Sequence, residues 1–291
     1  MPAADVEITP ELVRSLLRAQ HPDLAELSLT PLAHGWDNEL MRLGDELVVR
    51  LPRRAVAAAA IEHECRWVPV LAERCALPAD IAIPVPLRRG QPDAGYPYAW
   101  SIVPYVPGRP VGDATLDETA ARTLGAFVHA VHVPAPPEAP FNPLRGVPLV
   151  DRVVRFEAAL ALVLEQKQDI DEARVVDAWE RCLAAPVWDG PPLWLHGDIH
   201  PLNVLWDGRR VCGVIDFGDI TGGDPATDLA VAWMCFGPRE RDVFLGATGA
   251  DEATILRGRG WAIAIAVAVM ASDDRVIARI GERTLPAAIA F

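Results

Sequence analysis

Between Trp194 and Asp219 the chain reads W-L-H-G-D-I-H-P-L-N-V-L, then a short spacer, then V-C-G-V-I-D-F-G-D. Asp198 follows directly on an apolar run, Asn203 comes five residues later in the same loop, and Asp216 ends the next apolar run. Phosphoryl transfer asks little covalent work of a protein. It needs a group to accept the proton of the attacking hydroxyl, and oxygen ligands for the metal ion that bridges the phosphates. Asp198 meets the first need. Asn203 and Asp216 meet the second, because Mg²⁺ takes hard oxygen ligands and sits with one or two carboxylates beside phosphates and waters. A single Asp or Asn in a loop ordinarily caps a turn. The joint pattern, continued by G-D-P-A-T-D-L-A from Gly223 to Ala230, is what points to chemistry. His196 is expected to be structural, its imidazole bonded to backbone near Asp216, since a buried ring needs a partner. His200 is expected to be exposed on the loop.

The elements that position these residues follow from periodicity. Thr9-Pro10-Glu11 has the form of a helix start and is followed by Leu12, Val13, Leu16 and Leu17 at helical spacing. Short runs at 27–34, 46–51, 81–87 and 98–103, bounded by Gly, Pro or Asp, predict strands, and the alanine-rich stretch 55–76 predicts a helix. Residues 1–103 therefore predict an antiparallel sheet with a helix packed on it. The Pro- and Gly-dense segment 104–110 predicts a hinge. Beyond it, helical periodicity covers 116–131, 150–168, 172–184, 224–235, 239–245 and 253–270, broken by a strand-rich island at 193–217 and by a proline-rich loop at 134–148. The expected fold class is α+β: a small sheet-bearing lobe, a hinge and a larger helical lobe at 111–291, with a ligand cleft between the lobes.

Composition removes competing mechanisms. Of the 27 basic residues in the 291-residue chain, one is a lysine, Lys167, in the polar stretch L-E-Q-K-Q-D. A Gly-Lys-Ser/Thr phosphate loop and Schiff-base chemistry both need a lysine in the site, so neither fits. A net charge of −13 disfavours a nucleic-acid partner and leaves a cationic small molecule open. The five cysteines are odd in number, scattered and never in a C-x-x-C pair, which points to a reducing cytoplasm without structural zinc. The N-terminus does not read as a secretion signal. The longest apolar run, 261–271, falls short of the roughly 20 residues of a membrane span, so no membrane partner is expected.

Together, H-G-D-x-x-x-x-N, I-D-F-G-D and G-D-P-A-T-D-L-A resemble the aminoglycoside phosphotransferase family, antibiotic and metabolite kinases with a bilobal protein-kinase-like fold. The resemblance implies Asp198 as catalytic base, Asn203 and Asp216 as metal ligands, and Asp224 and Asp228 as supports of the loop. It implies Mg²⁺ with ATP or GTP as co-substrate. It places the nucleotide-covering loop at His34–Leu40, with Asn38 near phosphate, and gives Arg50 the position of the family's phosphate-binding lysine. A guanidinium can take that role bidentately, although it is bulkier than an ammonium. Its acidic partner would be Glu64, with Glu62 as second choice, and Ser101, Ile102, Val103 and Tyr105 would line the hinge beside the purine.

For the acceptor, the stretch 189–231 holds seven aspartates and two arginines, 2 − 7 = −5, which favours a polycation. The expected function is phosphorylation of a hydroxyl on an aminoglycoside-like antibiotic. A macrolide acceptor remains an alternative, given Trp179, Trp188, Trp233 and Trp261, although macrolide kinases often carry His where this chain has Asn203. A housekeeping kinase of an amino alcohol or sugar is another alternative. So is a nucleotide-binding pseudokinase, for which the absent lysine speaks.

Overall fold

The computed structural model describes residues 4–35, 37–167 and 169–291, and the backbone alone of residue 34. The chain divides into two compact units, one comprising the residues up to Arg74 with Ile83–Val106, the other Cys75–Ala82 with Pro107–Phe291.

In the first unit, Thr9 Oγ1 accepts the Leu12 amide at 3.2 Å and opens helix α1 (Pro10–Gln20), whose Val13, Leu16 and Leu17 are buried. The strands are β1 (Leu29–His34), β2 (Asn38–Leu43), β3 (Leu47–Pro52), β4 (Arg88–Gly90) and β5 (Trp100–Pro104), joined antiparallel in the order β1-β2-β3-β5-β4. Helix α2 (Ala55–Arg74) packs against β3 and β5. Alternation along β3 decides the site. Val49 and Leu51 join Met41, Ile102 and the apolar face of α1 in one core. Arg50, between them, turns instead to Glu64 of α2. Two helices thus pack on the sheet where one was expected.

Two strand expectations shift. Residues 81–87 contribute only a bridge from Ala82 to Gly213, because Pro84 and Pro86 lack the amide a ladder needs. The edge strand is β4. In contrast, the segment read as a loop through Leu40 becomes strand from Asn38, leaving residues 35–37 as the turn.

The second unit holds the short strands β6 (Arg109–Pro110), β7 (Leu193–Leu195), β8 (Val204–Trp206), β9 (Val211–Val214) and β10 (Thr221–Gly223) among its helices. β8 pairs with β6 and β9, and β7 with β10. The helices are α3 (Glu118–Val131), α4 (Val153–Gln166), α5 (Glu172–Leu183), α6 (Ala226–Leu229), α7 (Val231–Cys235), α8 (Pro238–Thr248), α9 (Glu252–Met270) and α10 (Arg275–Ile289). The helix expected over 224–235 starts two residues late and breaks at Ala230. By length and composition α9 would suit a membrane span, but it is largely buried and packs against α4, α5, α6 and α10. An apolar helix surrounded by other helices is what a protein core contains.

Candidate active site

The loop 196–203 connects β7 to β8, and 215–220 connects β9 to β10, so two strand pairs present two loops side by side. The first loop is held from beneath by a buried carboxylate. Asp228 Oδ2 accepts the His196 amide at 2.9 Å and Oδ1 the Gly197 amide at 2.8 Å, while His132 Nε2 lies 3.3 Å from Oδ2. Gly197 stands at φ +87°, and a Cβ there would lie 2.4 Å from the Asp219 carbonyl oxygen, so the turn requires glycine. The His196 ring is buried. It donates from Nε2 to the Ile215 carbonyl at 3.0 Å and accepts the Asp198 amide on Nδ1 at 3.2 Å, the backbone bond beside Asp216 expected of it.

These contacts deliver the Asp198 carboxylate, which keeps 30% exposure. Its Oδ1 lies 2.9 Å from Arg145 Nη2 and its Oδ2 3.3 Å from His200 Nε2. Burial alone would raise this carboxyl, but the His200 and Arg145 charges outweigh it and hold the group well below the usual carboxylate range. Burial works against the His200 imidazolium, yet Asp198 and Asp216 pull its pKa upward. Asn203 is buried and donates from Nδ2 to the Asp198 carbonyl at 3.0 Å, with His200 Nε2 at 3.1 Å. The Ile215 amide donates to the Asn203 carbonyl at 2.9 Å, which ties the two loops together one residue before Asp216. Asp216 is exposed and stands at φ +65°, a conformation rare outside glycine and common at functional positions. Asp198, Asn203 and Asp216 are thus brought together in the second unit.

Asp224 braces the same region from further out. It meets Arg257 bidentately at 2.8 and 3.1 Å, both residues being buried, and Arg257 also donates to the Pro186 carbonyl at 2.7 Å. In the first unit, Arg50 Nη1 and Glu64 Oε2 meet at 2.6 Å, with Glu64 1% exposed.

Residues 28–263 match the phosphotransferase enzyme family. The chain belongs to that family. Aminoglycoside 3'-phosphotransferase of Salmonella typhimurium is 25% identical over 148 residues, 48% of this chain and 53% of that protein. The chain thus spans about half the length of the curated relatives it matches first. A longer match, 25% identical over 252 residues, is to the uncharacterized protein YcbJ of Bacillus subtilis (strain 168), covering 79% of this chain and 76% of that one. Among solved structures, the GDP complex of aminoglycoside 2'-phosphotransferase-IIIa gives a TM-score of 0.69 at 18% identity over 97% of this chain and 99% of that one. Macrolide 2'-phosphotransferase MphH from Brachybacterium faecium gives 0.61 at 20% over 94% and 97%. At these identities the likeness establishes the fold, which is the protein-kinase-like one expected.

One expectation about the chain is corrected. His200 is not an exposed loop residue; it is half-buried against Asp198 because the loop folds back over Asn203. Ser101 and Ile102 lie within β5, in the run expected as a strand at 98–103. Each has a ladder partner in β3 and another in β4, so both sit in the middle of the sheet. Tyr105 lies past the strand, but its amide already donates to Glu46 at 2.7 Å and its ring carries the Arg42 guanidinium at 3.3 Å. Val103 pairs with Val48, and on its other side no strand partner is present among the described residues. Asn38 is the buried first residue of β2, its carbonyl accepting the Gly35 amide at 2.9 Å; Trp36, in the same turn, lies outside the described residues.

Sequence reasoning missed Arg145, Asn142 and Asp219. Asn142 Nδ2 donates to Asp219 Oδ1 at 2.7 Å, and Arg145 Nε lies 3.7 Å from Asp219 Oδ2. Burial raises the Asp219 carboxyl even against Arg145. Asn142 and Arg145 sit in the proline-rich loop more than fifty residues before the motif, where no periodicity marks them.

Proposed function

We propose that this phosphotransferase moves the γ-phosphoryl group of ATP or GTP onto a hydroxyl of a cationic, aminoglycoside-like small molecule. The observation that carries the reading is the Asp198 carboxylate: ionised, oriented on both oxygens, accessible, and beside Asn203 and the exposed Asp216. Asp198 would orient the acceptor hydroxyl and take its proton as the oxygen–phosphorus bond forms. Among the described residues, no group of three or more His, Cys, Asp or Glu is arranged to hold a metal alone. The Asn203 amide and the Asp216 carboxylate are the donor set of a hard cation that shares its coordination with phosphates and water, and so fit Mg²⁺. When bound, Mg²⁺ supplies neutralisation of phosphate charge. Arg50, held by Glu64, would bind phosphate oxygens, and Val103 with Asn38 would lie along the nucleotide.

Several findings support the acceptor class. The stretch 189–231, which contains the site loops, carries a formal charge of −5, relatives are named for aminoglycosides, and related structures hold GDP or ADP, or kanamycin or gentamicin. All five cysteines are free, in keeping with a cytoplasmic enzyme that draws on nucleoside triphosphate. The test is turnover of the purified chain with ATP or GTP, Mg²⁺ and a panel of aminoglycosides, read as acceptor mass gain, with Asp198→Asn as control. Transfer to an aminoglycoside that Asp198→Asn abolishes supports the reading. Turnover only on a macrolide, amino alcohol or sugar would reassign the acceptor, and nucleotide binding without turnover on any of them would indicate a pseudokinase.

A further inference from the structure

The loop 132–148 contains neither helix nor strand among the described residues, so specific contacts must hold it. On one side of Arg145, the Asn142 amide donates to Thr221 Oγ1 at 3.1 Å, and Thr221 Oγ1 donates to the Pro140 carbonyl at 2.9 Å. The Leu144 amide turns back to Asn142 Oδ1 at 2.8 Å, while Asn142 Nδ2 holds Asp219. On the other side, the Gly146 amide donates to Thr227 Oγ1 at 3.0 Å, and the Gly146 carbonyl accepts the Asp224 amide at 2.8 Å. The approach at that point is so close that a Cβ on Gly223 would lie 2.2 Å from the Gly146 oxygen. The loop is therefore fastened to β10 and α6 immediately before and after Arg145.

We propose that Arg145 is a positioning residue for the catalytic aspartate: its guanidinium, fixed by the fastened loop, spans Asp198 and Asp219 and holds the Asp198 carboxylate in one orientation. The proposal rests on the reading of Asp198 as the base. Three carboxylates, Asp198, Asp216 and Asp219, lie on these two loops, and Arg145 reaches two of them at 2.9 and 3.7 Å. An exposed ion pair between two mobile side chains contributes little. Here the arginine is 20% exposed and its backbone is anchored on both sides, so little freedom is lost in making the contact. The planar guanidinium fork also directs its donors in fixed directions, which an ammonium does not. With Oδ1 engaged by Arg145 and Oδ2 turned toward His200, the carboxyl cannot rotate freely about χ2.

The experiment compares wild type, Arg145→Ala, Arg145→Lys and Asp198→Asn by kcat, by KM for nucleotide and acceptor, by thermal melting, and by response to added guanidinium below denaturing concentration. Arg145→Ala should lower kcat on the order of 10²-fold with nucleotide KM unchanged, the scale on which a misplaced catalytic group costs rate. Guanidinium should restore part of that loss, and Arg145→Lys should fall between Arg145→Ala and wild type. A folded Arg145→Ala with wild-type kcat, while Asp198→Asn is inactive, overturns the proposal and leaves the base assignment standing. A loss that tracks melting, is equal in Arg145→Lys and does not respond to guanidinium also overturns it, since that is the behaviour of a purely structural residue. Substantial turnover by Asp198→Asn removes the base assignment itself, and this proposal with it.

Discussion

The two units hold their functional side chains by different means. In the second, Asp198, Asn203 and Asp216 sit on loops whose shape is set by hydrogen bonds to buried side chains, chiefly Asp228 and His196. In the first, Arg50 and Glu64 sit on a regular strand and a regular helix and meet through one buried ion pair. The lesson is that irregular backbone at a site needs its own internal scaffold, whereas regular elements need only the correct face and register.

The largest test of that contrast is Asp198→Asn, which removes the proposed base and leaves the Asp228 and His196 contacts in place. We expect kcat to fall by about 10³-fold with melting unchanged, within the usual contribution of a positioned acid or base. Next is a matched pair. Arg257→Ala and Arg50→Ala each remove an ion-pair partner of a buried carboxylate, and each should cost about 3–5 kcal/mol of stability in denaturant or thermal melts. Nucleotide affinity should separate them: titration calorimetry should show weakened binding for Arg50→Ala and near wild-type binding for a folded Arg257→Ala. Equal nucleotide affinity in the two would leave Arg50 a structural residue. A smaller effect is expected of Arg50→Lys, which keeps the charge but loses the fork; nucleotide KM should rise about tenfold, roughly 1.4 kcal/mol. Smallest is Arg210→Ala, which breaks an exposed contact with Asp80 at 2.7 Å and should move stability by under about 1 kcal/mol. A large loss there would show that surface pairs matter as much here as the buried scaffold.

The same contrast explains what was legible. The second unit's site lies within a few dozen consecutive residues, so strand ends, loop length and residue type place Asp198, Asn203 and Asp216 without knowledge of the rest. Arg50 and Glu64 could be paired through the resemblance, which puts Arg50 at the family's lysine position; Glu64 was preferred to Glu62 because it heads the apolar pattern of Trp67, Val70 and Leu71. The second ladder partner of Ser101 and Ile102 was not legible, because β4 has three residues and is too short to show any periodicity. Helix α10 was unseen; Pro286 lies within its last turn, and Gly281 and Thr284 interrupt the buried face formed with Ala278, Ile280, Leu285 and Ala288.

By itself the sequence determined which side chains the loops at 196–203 and 215–220 carry, the sheet-then-helices order and the absence of lysine from those loops, because each depends on residue type and local spacing. Only the tertiary structure decided which amides Asp228 binds beneath the loop at 196–203, that His200 folds back on Asp198, and that Arg145 reaches the same carboxylate from a distant loop. Those contacts join residues 30 or more positions apart, or depend on a left-handed turn at Gly197, and neither long-range closure nor a side-chain direction is written in local periodicity.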